Sequence, residues 1–122
     1  MVCFDSNILI YFIENDALFG LYATDLIADA IENGGAIFSV IALTELQTKR
    51  QNPPQVEKLR LFRQSVRFLP VTETIAVAAG LLRQAHPSLR TADSLHLATA
   101  VVHKTDFQTN DKKLAKIAKA CI

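Results

Sequence analysis

The sequence predicts an α/β fold in which a parallel sheet is covered by helices, and three observations carry that prediction. Four short apolar segments, Val2–Asp5, Ala36–Ser39, Phe68–Val71 and Asp106–Gln108, alternate with longer stretches of helical spacing, the pattern of strands joined by crossover helices. The 122 residues are 50% hydrophobic, with 4 Gly, 4 Pro and no repeat or linker-like tract, which suits one domain around one core. Asp5, Glu45 and Asp111 follow strands closely, and in open parallel sheets ligands bind outside the carboxyl ends of the strands.

In order, Val2-Cys3-Phe4 reads as a buried strand that stops at Asp5-Ser6-Asn7, after which Ile8-Leu9-Ile10 turns helical. Leu18–Asn33 carries apolar residues at Leu18, Leu21, Tyr22, Leu26, Ile27 and Ile31 and runs into Gly34-Gly35, a helix with its stop signal. Val40–Gln47 is the next helix, and Gln55–Arg67 resumes helical spacing after Pro53-Pro54. Thr72–Ala85 is alanine-rich and suited to packing flat on the sheet. From Thr91 a further helix begins, with Thr91 as its cap, Asp93 in its first turn and Leu95, Ala98, Val101 and Val102 on its apolar face. A last helix starts at Thr109-Asn110-Asp111 and carries Lys112, Lys113, Lys116 and Lys119.

The net charge of +1 conceals an asymmetry. Residues 1–48 hold seven acids and no Lys or Arg, hence −7, whereas residues 49–122 hold 13 Lys and Arg against five acids, hence +8. That split allows a basic surface for a polyanion beside an acidic pocket for cations. Arg60, Arg63 and Arg67 recur at helical spacing, which equally describes a solvated helix face. No apolar run is long enough to span a bilayer and the N-terminus lacks a basic signal-peptide start, so a cytoplasmic location with no membrane partner is expected. Cys3 and Cys121 have neither zinc-site spacing nor disulfide-scaffold density and read as reduced core residues.

Convergence of Asp5, Glu45, Asp93 and Asp111 would create a strained site. Two carboxylates about 4 Å apart repel by about 4 kcal/mol at an effective dielectric near 20. A hard divalent cation relieves that repulsion, and carboxylates with retained waters are what Mg²⁺ or Mn²⁺ prefers. Such an ion activates a water and stabilises charge on a phosphodiester. Asp5 would then be the central ligand, Asp93 and Asp111 further or water-mediated ligands, and Glu45 a ligand or the group orienting the attacking water. Ser6, Asn7, Thr109 and Asn110 could anchor those ligands, although turn and cap duty also explains them. Asp93 and Asp111 could equally be helix caps, and Glu45 a solvated residue. His96, between Leu95 and Leu97, reads as a packed core residue rather than a base.

Four motifs stand in order: Phe4-Asp5-Ser6-Asn7-Ile8-Leu9-Ile10, Ser39-Val40-Ile41-Ala42-Leu43-Thr44-Glu45-Leu46, Thr91-Ala92-Asp93-Ser94-Leu95-His96-Leu97-Ala98-Thr99-Ala100 and Phe107-Gln108-Thr109-Asn110-Asp111. Together they resemble the PIN domain over nearly the whole chain, with most likeness to the VapC-type toxins of prokaryotic toxin–antitoxin pairs. The resemblance implies an α/β/α sandwich with a four- or five-stranded parallel sheet and a Mg²⁺- or Mn²⁺-dependent ribonuclease whose acids map onto Asp5, Glu45, Asp93 and Asp111. It also implies an RNA substrate, a homodimer, and a small antitoxin that wraps the groove and can push a basic side chain into the acidic site. Ser6 stands where the family often has Thr, which keeps the hydroxyl. Only Ala118–Ile122 remain for the terminal strand often found in this fold.

Two other readings compete. In a phosphoacyl-Asp hydrolase or receiver-like domain Asp5 would be a nucleophile, but Asn7 occupies the place of the usual second Asp. In a catalytically silent module, the basic second part of the chain would bind RNA or protein without cleavage.

Overall fold

Residues 1–122 are described by the structure, a computed structural model. The elements run β1 (Val2–Phe4), α1 (Ser6–Glu14), α2 (Gly20–Glu32), β2 (Ala36–Ser39), α3 (Ile41–Gln47), α4 (Pro53–Phe62), β3 (Arg67–Leu69), α5 (Glu73–Ala85), α6 (Thr91–His103), β4 (Asp106–Gln108) and α7 (Lys112–Cys121). The four strands form one parallel sheet in the order β3-β2-β1-β4. The order turns back at β1, so the carboxyl ends of β1 and β4 border the crevice where an open sheet binds ligands.

Alternation along three- and four-residue strands decides what each face buries. Phe4, Ala36 and Phe38 join residues of α1 to α4, including Ile8, Leu9, Ile27, Leu46 and Phe62, in the larger cluster. Cys3, Ile37 and Leu69 face the other way, against Ala100 of α6 and Phe107. Registers Cys3↔Ile37 and Phe4↔Phe38 keep these two sets in line. Further packing of α6 on α5 through Ile75, Ala79 and Ala98, and on α7 through Leu97, Leu114 and Ala118, completes the second helical layer. Phe38 is the hub of the first layer, with ring centroids 5.6 Å from Phe4, 5.9 Å from Phe62 and 5.3 Å from Phe68.

Several boundaries differ from the sequence expectation for local reasons. Helix α2 starts at Gly20 rather than Leu18, because Asp16 Oδ2 accepts from the backbone N–H groups of Leu18 (3.0 Å) and Phe19 (2.8 Å) and holds them in a turn. Helix α4 starts at Pro53, capped by a reciprocal Asn52–Gln55 box, and ends at Phe62. A turn then places Arg67 in β3, opposite Ile37, so that Arg60, Arg63 and Arg67 do not share a helix face. Arg60 pairs with Glu57 and Arg63 lies over the Phe68 ring. Strand β3 stops at Leu69, two residues before Val71. Thr91 is the first helical residue of α6 and not its cap; extended Arg90 holds that place without a side-chain bond. Thr72 caps α5 through Ile75 N–H, and α7 begins one residue after Asp111. Residues Ala118–Cys121 belong to α7, and the sheet has four strands, not five.

No helix is long and apolar enough to cross a membrane. The two thiols are free, as expected, but differ sharply. Cys3 is fully buried, and burial first, then the charge of Asp5, pushes its pKa up to about 12, whereas Cys121 is partly exposed. Because the thiolate is the nucleophile, iodoacetamide should modify Cys121 in the native protein and reach Cys3 only on denaturation, as read by mass spectrometry. Truncation of the aromatic hub, Phe38→Ala, should cost about 3–5 kcal/mol in urea unfolding, while Leu21→Ala on the exposed face of α2 should change stability by less than about 0.5 kcal/mol.

Candidate functional site

The site is organised around Asp5, which β1 delivers to the start of α1. Its backbone N–H donates to the Gln108 carbonyl at 3.0 Å, which ties the end of β1 to the end of β4. Its side chain caps α1: Oδ1 accepts from Ser6 N–H at 2.8 Å, with the Ser6 hydroxyl at 3.5 Å, and Oδ2 accepts from the Thr109 hydroxyl at 2.8 Å. Asp5 is only 2% exposed. Burial raises its pKa, and nearby Asp93 adds to the rise, while His96, Thr109 and Ser6 N–H counter it.

Glu45 reaches the site from α3. Its Oε1 lies 2.5 Å from His96 Nε2 on α6, and its pKa is lowered, chiefly by that hydrogen bond, against burial and with smaller help from Ser6 and Arg90. His96 is fully buried, as the sequence suggested, but it is also the partner that holds Glu45; its Nδ1 has no hydrogen-bond partner. Asp93, half-buried in the first turn of α6, receives a long bond from Arg90 Nε at 3.4 Å. Asp93 and His96, three residues apart, share one face of α6, but the partnership of His96 with Glu45 comes only from the fold.

Asp111 is the N-cap of α7. Its Oδ1 accepts from Lys113 N–H (2.9 Å) and Leu114 N–H (3.1 Å), and its own N–H donates to Thr109 Oγ1 (3.1 Å). Thr109 therefore couples Asp111 to Asp5. Ser6 is buried between Asp5 and Glu45, whereas Asn7 is exposed and Asn110 half-buried, neither with a side-chain hydrogen bond among those formed. Asp5, Glu45 and Asp93 are thus linked electrostatically, through His96, Ser6 and Arg90, and Asp111 joins through Thr109. With these rotamers no three Asp, Glu, His or Cys side chains form a group that could hold a metal ion. In kind, the donors are carboxylate and hydroxyl oxygens, the set that suits a hard cation rather than zinc.

These carboxylates stand near the carboxyl ends of β1 and β4 in a parallel α/β sheet, the place where open sheets bind ligands. The chain belongs to the PIN domain family, whose model matches residues 2–120. Among solved structures, its fold is similar to VapBC2 from Rickettsia felis bound to a promoter DNA fragment (TM-score 0.79, 20% identity, 96% of this chain and 93% of that chain covered). It is similar also to a toxin–antitoxin complex from Klebsiella pneumoniae (0.77, 23%, 93% and 88%) and to FitAcB from Neisseria gonorrhoeae (0.71, 19%, 98% and 94%). No curated protein sequence matches the chain.

Thr109 both donates to a buried carboxylate and accepts from the Asp111 N–H. Thr109→Val keeps the shape and removes both bonds, so it should lower stability by about 1–3 kcal/mol, measured by urea unfolding, with Thr109→Ser restoring most of the loss.

Proposed function

We propose that this protein is a Mg²⁺- or Mn²⁺-dependent endoribonuclease, the toxin of a type II toxin–antitoxin pair. The observation that carries the reading is Asp5: in a chain of the PIN family, a carboxylate is buried at the sheet's switch point beside Asp93, where its charge is penalised. Its N–H and hydroxyl partners reduce that penalty without removing it, so capping and hydrogen bonding alone do not explain why a carboxylate stands there. A divalent cation explains it. Asp5 and Asp93, with Glu45 and Asp111 completing the set, would hold the ion, which when bound supplies charge stabilisation for phosphodiester hydrolysis.

The chain's own residues divide the remaining work. Glu45, fixed by His96, orients the attacking water. Thr109 and Ser6 fix the orientation of Asp5. Arg90, exposed beside Asp93, offers a cation to the substrate phosphate. Support for a small antitoxin partner comes from the similar folds, which were solved as VapBC2, a toxin–antitoxin complex and FitAcB. A homodimer acting in the cytoplasm on RNA completes the reading.

Protein freed of its partner should cleave RNA only with Mg²⁺ or Mn²⁺ added, and EDTA should abolish cleavage. Asp5→Asn should lower the cleavage rate by about 100-fold or more, since a bound cation contributes several kcal/mol to the transition state. The same variant should stay folded, with an unchanged circular dichroism spectrum, because Asn keeps the side-chain volume and an acceptor for Ser6 N–H. Wild-type cleavage by Asp5→Asn, or cleavage undiminished by EDTA, would sink the mechanism.

A further inference from the structure

A groove of about 640 Å³ lies between β4 and α7, with Gln108, Thr109, Lys112, Lys116 and Lys119 along it and Asp106 among its lining. Strand β4 pairs with β1 alone, so its outer backbone edge is open along this groove. Lys112, Lys116 and Lys119 recur at i, i+4 and i+7, which puts them on one face of α7; at 1.5 Å per residue they are spaced about 6 and 4.5 Å along the axis. All three are exposed and none forms an ion pair. Cys121 and Ile122 share a recess with Thr105 and Asp106, so α7 returns alongside β4, with Lys119 towards the Asp106 end and Lys112 towards Thr109. Thr109, at one end of the groove, stands next to the acidic site, since its hydroxyl donates to Asp5.

We propose that this groove is the track for the RNA strand, with backbone phosphates on Lys119, Lys116 and Lys112 leading past Thr109 to Asp5; the proposal rests on the ribonuclease reading above. Three unpaired cations in a row favour a polyanion, and the direction of the groove decides which one. An acidic peptide would gain from the lysines but would run into the carboxylates at the Thr109 end. A phosphodiester must reach those carboxylates to be cut. The carboxylate of Asp106 marks the distal limit, where a phosphate would be repelled. The open edge of β4 adds backbone groups for phosphate or ribose hydroxyl contacts.

The test is binding of a fluorescent single-stranded oligoribonucleotide to Asp5→Asn protein across a salt series. Each lost phosphate contact should flatten the slope of log K against log salt by about 0.7, so Lys116→Glu should flatten it by at least that much. Replacing Lys112, Lys116 and Lys119 together with Ala should flatten it by about 2. Lys113→Glu makes the same charge change on the same helix outside the groove, and should leave the slope unchanged. Equal effects of Lys116→Glu and Lys113→Glu, or no effect of either, overturn the track. So does binding of polyglutamate that Lys116→Glu abolishes while RNA binding persists, which would make the groove a protein-docking surface. Wild-type protein that fails to cleave RNA with Mg²⁺ or Mn²⁺, yet binds it through Lys112, Lys116 and Lys119, would overturn the hydrolase and uphold the track.

Discussion

The structure depends on holding one carboxylate, Asp5, nearly water-free at the meeting point of two strands. A buried ionised carboxylate is costly unless its oxygens are taken up by donors. Every neighbour contributes to that end: the chain turns into α1 so that Ser6 N–H points at Oδ1, and β4 ends so that Thr109 presents its hydroxyl to Oδ2. The same requirement fixes the sheet edge, since the bond from Asp5 N–H to Gln108 carbonyl holds β4 in register with β1. These donors reduce the penalty without removing it, as the raised pKa of Asp5 records. Perturbed carboxylates of this kind cluster at functional sites.

The two helical layers divide according to what they do for this site. The layer of α1 to α4 presents a contiguous apolar cluster centred on Phe38, and it anchors Glu45 through buried Ala42 and Leu46 on either side of it. The opposite layer supplies the polar complement. Helix α6 passes over the sheet with His96 and Thr99 buried, and sends His96 across to Glu45. The hydrogen bond between α3 and α6 therefore spans the carboxyl end of the sheet, and joins the layers where hydrophobic packing gives out.

Much of this was legible in the sequence, and the exceptions have physical causes. Strands and helices announced themselves by period, and the position of Asp5 followed from a buried strand ending in Asp-Ser-Asn. Boundaries failed where a side chain competed with the backbone. Asp16 captured two N–H groups and delayed α2, and the long apolar spacing through Arg67 hid the point where the chain leaves α4 for β3. The flanking Leu95 and Leu97 give away the burial of His96 but not its partner. Pairings across 51 residues, such as Glu45 with His96, have no local signature; only the fold brings them together.

Of the two acids that the sequence offered as helix caps, Asp93 lies inside the first turn of α6 and caps nothing, whereas Asp111 caps α7 without using all its oxygens. A carboxylate has two oxygens and about four lone-pair directions. In Asp111 both cap bonds fall on Oδ1, which leaves Oδ2 without a partner while the side chain is held in a fixed rotamer. Asp5 is likewise a cap through Oδ1 and is oriented by Thr109 through Oδ2, with lone pairs to spare on each. Capping removes rotamer freedom that a free surface carboxylate would lose on binding an ion, so the cap lowers the entropic cost of coordination. Asp5 and Asp111 are thus held rigid by caps the helices already need, and Thr109, shared between the two caps, is the joint that keeps them in step.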